Sequence, residues 1–327
     1  MTTREQLLAV KLTALVRDHC RSGDRPAASL RPGEFGGGAA LMDGSAAWVL
    51  LDDRPERGLG PAMAWALRQN AIELNLLAEV GAGTLARRAI GWIPPVHVWQ
   101  VAGRDLHPAT PDPLPSTTGL PVEHAALESL IVDGGAEPIV EHGVLRGEVD
   151  GLEVCRVVTD PHTDAVRLEV GVGAHDREAF QLLHGDRPTG EALADVVRSV
   201  RDHRRPGATR HPLNLLAQER ALRARLVADP ALISASHVRA VAPPIPRQNV
   251  KDAVPCVAQA TIASHQVTVV CSTGVDLDVV PFAVDAMAAC GTDECLVVLP
   301  ARDALDIQHR LAAAAPGSIA ITPLATP

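Results

Sequence analysis

Apolar and polar positions alternate with two periods along this chain, and the switches between them mark out its elements. From Val166 to Val172 the period is two. Val166, Leu168, Val170 and Val172 share one side, while Arg167, Glu169 and Gly171 share the other, the pattern of a half-buried strand. Residues 152–159 ("LEVCRVVT") and about 138–146 predict two companion strands. Around them the period becomes helical, with helices expected over 121–132, 176–184, 190–204 and 213–227.

The first and last segments follow a different order. Residues 39–51 predict strand, Asp-Gly-Ser turn, strand; a helix at about 60–70, strand "IELNLLAE", helix "TLARRAIGW" and strand "VHVWQV" follow. Residues 257–324 repeat that order through "VAQATI", "QVTVVCS", a helix at 279–290, "CLVVLP", a helix at 303–315 and "SIAITPL". An offset of 220 carries Val49 onto Val269, Pro61 onto Pro281, Leu76 onto Leu296 and Leu85 onto Leu305. Few residues are identical, so this is either an internal duplication or two units built to the same packing rules.

The expected fold class is α/β, with two similar ββαβαβ units flanking a mixed α+β middle domain. Five prolines in "GRDLHPATPDPLPSTTGLP" and the break "VAPPIPRQNV" set the boundaries. They give an N-terminal unit over 1–103, a Pro-rich linker over 104–120, a middle domain with basic helices over 121–240 and a C-terminal unit over 241–327.

Composition narrows the function classes. Hydrophobic content of 46% argues against long disorder. Aromatics are 2% with no tyrosine, so the base-stacking platform of single-strand binders is nearly missing. Lys11 and Lys251 are the only lysines, and arginine carries the positive charge. A GC-rich bacterial genome would leave the same mark. Six cysteines without CxxC or zinc-like spacing, an amphipathic N-terminus unlike a secretory signal, and no apolar run of membrane-spanning length point to a reduced, cytoplasmic protein with no membrane partner.

Charge is unevenly placed. The chain carries −9, yet residues 198–225 hold eight arginines opposed only by Asp202 and Glu219. That stretch is about +6 against about −15 elsewhere, a field suited to nucleic acid or to an acidic protein surface, including that of a second copy in a homo-oligomer. Arg198, Arg201 and Arg205 fall on one helix face opposite Leu193, Val196, Val197 and Val200, and Arg220 and Arg223 repeat the spacing on the next helix. Two such faces would frame a phosphate-binding groove; alternatively they are solvated and paired with acids.

With the turn centred on His162, Glu153 would lie opposite Gly171 and diagonal to Glu169, at about 7–8 Å. Glu128 on the preceding helix would add a third oxygen. Such a set could hold Mg²⁺ and activate water for phosphodiester attack. Helix, three strands, helix, with Glu153 on the second strand and Glu169-Val170-Gly171 on the third, resembles the restriction-endonuclease-like PD-(D/E)XK fold over about 70 residues. The resemblance implies a metal-dependent nuclease. Gly171 replaces that family's catalytic lysine and the Pro-Asp is missing, which implies a divergent or degenerate member. The competing reading is a solvated strand face with an Arg167–Glu169 pair, in a non-catalytic interaction protein or regulatory scaffold, homodimeric or not.

Two loops suit anions or ligands. Gly81, Gly83 and Thr84 open a helix carrying Arg87 and Arg88, where a phosphate could sit on backbone amides or where the glycines simply make a tight turn. Asp276, Asp278 and Asp285 cluster beyond a strand end, as ligand residues or as caps of the helix that follows.

Overall fold

The computed structural model describes residues 3–22, 30–116, 118–173, 176–178, 188–205, 208–209, 211–246 and 254–325. The chain forms two units. One contains Met1–Leu114, Val275–Ala288 and Ala304–Ile321; the other contains Pro115–Gly274, Ala289–Asp303 and Thr322–Pro327.

In the first unit six strands lie in sequence order: β1 (Leu30–Gly33), β2 (Gly38–Asp43), β3 (Ala46–Leu51), β4 (Glu73–Ala78), β5 (Val96–Ala102) and β6 (Asp105–Pro108). β3, β4 and β5 are parallel and the other pairings antiparallel. Parallel neighbours need crossovers, supplied by α2 (Leu59–Arg68) and α3 (Ala82–Arg88). All six residues of β3 are buried, which is why its sequence is a continuous apolar run rather than an alternation. Helix α1 (Thr3–Ser22) lays Leu12, Leu15, Val16 and Cys20 on Leu41, Trp48, Leu50 and Val101. β6 lies inside the stretch expected as a linker and extends this sheet.

The second unit holds an antiparallel meander of β7 (Glu137–Glu141), β8 (Val144–Val149), β9 (Leu152–Thr159) and β10 (Val166–Val170). The single strand expected over 138–146 is two strands, because His142 (φ 51) and Gly143 (φ 75) make a tight hairpin turn. The helix expected over 121–132 is split into α4 (Val122–Ala125) and α5 (Glu128–Asp133). α5 and α6 (Thr189–Arg204) cover one sheet face with Ile131, Leu193, Val197 and Val200 against Leu145, Val154, Val157 and Leu168. The helix expected over 213–227 begins later, as α7 (Gln218–Ala228), after a short 3-10 turn at Pro212–Leu215. That expected over 176–184 lies largely outside the described residues.

A third sheet runs in the order β11 (His237–Val241), β12 (Cys256–Ile262), β13 (His265–Cys271), β14 (Glu294–Pro300), β15 (Ser318–Leu324). Helices α8 (Val279–Cys290) and α9 (Asp306–Ala314) separate its last three strands in sequence. The α/β class holds, and ββαβαβ occurs twice, as β2-β3-α2-β4-α3-β5 and β12-β13-α8-β14-α9-β15. The shared offset is visible in the helices: α2 starts at Leu59 and α8 at Val279.

Candidate functional site

The β9–β10 hairpin is set by Asp160. Its backbone N–H donates to the Ala165 carbonyl, and its Oδ1 accepts from the His162 and Thr163 amides. This loop shifts the register by one residue from the expected one, placing Val170 opposite Cys155 and Glu169 opposite Arg156. Such a slip alone would send Glu153 to the face opposite Glu169. A β-bulge restores it: β9 carries an extra residue between its pairings with Gly147 and Glu148. Glu153 and Arg156, three apart, therefore share a face, and so do Glu153 and Glu169.

Those carboxylates are held by arginines. Arg177 donates from Nη1 to Glu153 Oε1 at 3.0 Å, and its Nε lies 3.6 Å from Glu169 Oε2. Arg156 grips Glu153 with Nε at 2.9 Å and Nη2 at 3.1 Å. Arg167 donates to Glu169 at 3.0 Å and to Asp160 at 2.6 Å, so the Arg167–Glu169 pair is present. Glu128, the first residue of α5, is exposed.

From Glu153 the chain of charges continues inward. Arg146 Nε lies 3.5 Å from Glu153 and its Nη1 donates to Glu141 at 3.1 Å. Glu141 also accepts from Arg223 Nη1 at 2.8 Å and from Arg220. Glu148 accepts from Arg223 Nη2 at 3.1 Å and from Arg220. Burial opposes the charge on Glu141, but Arg220, Arg223 and Arg146 outweigh it and hold its carboxyl down at about 2. Gly151 makes this approach possible. It sits at φ 77 in the β8–β9 turn, and a Cβ there would lie 2.3 Å from the Arg220 carbonyl carbon and oxygen.

The basic stretch is thus divided. Arg220 and Arg223 are 4% and 1% exposed and point into the unit, not toward a groove shared with the α6 arginines. Arg198, Arg201 and Arg205 are exposed. Arg198 pairs with Asp195 at 2.9 Å while its side chain stays 70% exposed, and Arg201 donates to the Gly135 carbonyl.

In the first unit, Asp112 occupies the start of α3. Thr84 Oγ1 donates to its Oδ2 at 3.2 Å, its amide donates to the Gly83 carbonyl, and a Cβ on Gly83 would lie 2.3 Å from its Oδ1. The position envisaged for a phosphate at Gly81, Gly83 and Thr84 therefore holds the protein's own carboxylate. The buried Arg88 donates to Asp285 at 2.7 Å and to Asp278 at 3.1 Å, Arg87 also grips Asp285, and Arg57 pairs with Asp276. Burial, against the pull of Arg88, pushes the Asp278 carboxyl up to about 7.

Among the described residues no group of three or more His, Cys, Asp and Glu is placed to hold a metal ion, and no helix is long and apolar enough to cross a membrane. Sequence reasoning missed Arg177, Glu141 and Glu148. For Glu141 the one signal was a charge among the apolar residues of the strand expected over 138–146; Glu148 and Arg177 lay outside every expected strand. Comparison with protein-family models, curated proteins and solved structures finds no match to this chain.

Proposed function

We propose that this chain is a non-catalytic interaction protein that engages an acidic partner protein through the outer face of α6, at Arg198 and Arg201, and through Arg205, which follows the helix in extended backbone. The observation that carries this reading is Arg177 lying between Glu153 and Glu169. A divalent cation bound by both carboxylates would have to displace a guanidinium that already neutralises them, with Arg146 and Arg156 beside it. The acids expected to activate water instead stitch a sheet face together. What remains for recognition is the exposed cationic face of a helix in a chain that is otherwise strongly acidic.

The test uses poly-L-glutamate as a model acidic polypeptide and a DNA duplex as competitor, with the full chain, across a salt series. Poly-L-glutamate binding weakened at least tenfold in an Arg198→Glu/Arg201→Glu/Arg205→Glu variant supports the reading. Mg²⁺-dependent cleavage of DNA or RNA that is lost in Glu153→Gln overturns it and restores the metal-dependent nuclease. Poly-L-glutamate binding unchanged by the triple substitution also overturns it.

A further inference from the structure

Cys256 opens β12 and Cys271 closes β13, and the two are directly opposite in the antiparallel register. Residues so paired have Cα atoms about 4.5–5.5 Å apart with side chains on one face, within the roughly 4.4–6.8 Å that a disulfide spans. Both are free thiols, and they hydrogen-bond each other. Cys256 Sγ also lies 3.2 Å from the Glu219 carbonyl oxygen, to which its thiol donates.

Buried charges of both signs surround them. Arg146, Arg220 and Arg223 are buried beside two buried carboxylates, Glu141 and Glu148. Glu137 also lies in the field of Arg223 and Glu148, and Glu153 is shared among Arg146, Arg156 and Arg177. The Glu219 carboxylate accepts from Thr273 Oγ1. Burial disfavours a thiolate at Cys256, but the hydrogen bond from Cys271 and the Arg223 and Arg220 guanidiniums outweigh it and lower its ionisation range. Cys271 is held well above the ordinary thiol range. Burial likewise pushes up Cys155, Cys290 and Cys295.

We propose that Cys256 and Cys271 are a peroxide-reactive dithiol that closes into a cross-strand disulfide. The Cys256 thiolate attacks one oxygen of hydrogen peroxide. The O–O bond breaks, and the departing hydroxide takes a proton to become water, leaving a sulfenic acid on Cys256. Cys271 then attacks that sulfur; the S–O bond breaks, and the hydroxide leaves as a second water with the Cys271 proton. The sulfur pair loses two electrons and the peroxide gains them. Cys256 and Cys271 are 2% and 0% exposed, closed even to water in the folded chain, so the small oxidant hydrogen peroxide reaches them through local opening of the strand pair. Closure removes the ionisable thiol on which Arg220 and Arg223 act, so oxidation is felt by the buried charge cluster.

The test treats the folded full chain with hydrogen peroxide, blocks remaining thiols after denaturation and maps peptides without reduction. The expected result is a linked Cys256–Cys271 pair with the other four cysteines still blockable. In Cys271→Ser the reaction should stop at a sulfenic acid that dimedone traps on Cys256, at least tenfold faster than on Cys155. The proposal is overturned if both thiols stay reduced in the folded chain. It is equally overturned if dimedone labels Cys256 in Cys271→Ser no faster than Cys155.

Discussion

Nη1 of Arg223 donates to Oε1 of Glu141 at 2.8 Å, joining α7 to the end of a strand 82 residues earlier. Each residue is 1% exposed. A buried pair of this kind contributes little net stability, yet it is costly to break, because the survivor stays charged in a dry site. Arg223→Met should therefore destabilise the second unit by about 3–5 kcal/mol in urea unfolding. Adding Glu141→Leu should recover part of that loss, a coupling of about 1–3 kcal/mol. Additive losses would show that the two do not interact.

Acid should weaken the same unit through Glu141. Its carboxyl sits at about 2 in the folded chain against an ordinary value of 4.5. A depressed acid lends stability above the unfolded value and loses it as pH falls through the folded one. Stability should drop by about 3 kcal/mol between pH 5 and pH 2, with a visibly flatter profile in Glu141→Gln.

Asp278 should act with the opposite sign. Its folded value of about 7 lies above the ordinary 3.8, so the folded state holds the extra proton between those limits. Its contribution is full below about pH 4 and is lost as pH rises through 7. Asp278→Asn should flatten the decline in thermal midpoint between pH 5 and 8; a decline of unchanged slope would assign it to another group.

Gly151→Ala combines a positive φ with a Cβ 2.3 Å from the Arg220 backbone. The β8–β9 turn must withdraw from α7, and a loss of about 2–4 kcal/mol is expected. Retained stability would mean that turn and helix part without cost.

Strand period, helix period and the repeated ββαβαβ order were legible because each rests on neighbouring residues. The direction of Arg220 and Arg223 was not. On α7 they share the buried face with Leu222 and Leu226, and a charge at such a position reads as solvated unless its partners are known. Those partners, Glu141 and Glu148, lie 72 to 82 residues away. The β9–β10 register failed by one residue, because Asp160 closes the loop with hydrogen bonds that no periodicity encodes. The bulge in β9 then returned Glu153 to the anticipated face, leaving Arg177 as the unforeseen occupant beside it.

Among the described residues, Arg88 finds its counter-charges on Asp278 and Asp285, 190 and 197 residues further along. On the ribosome, the opening α/β segment is finished long before those acids are translated. Until they emerge, its guanidinium lacks both of these carboxylates and keeps the Glu56 carbonyl as its acceptor within that segment. Completion of the ion pairs that bury Arg88 therefore waits until residue 285 has been translated, and a fragment ending at residue 114 lacks both acids.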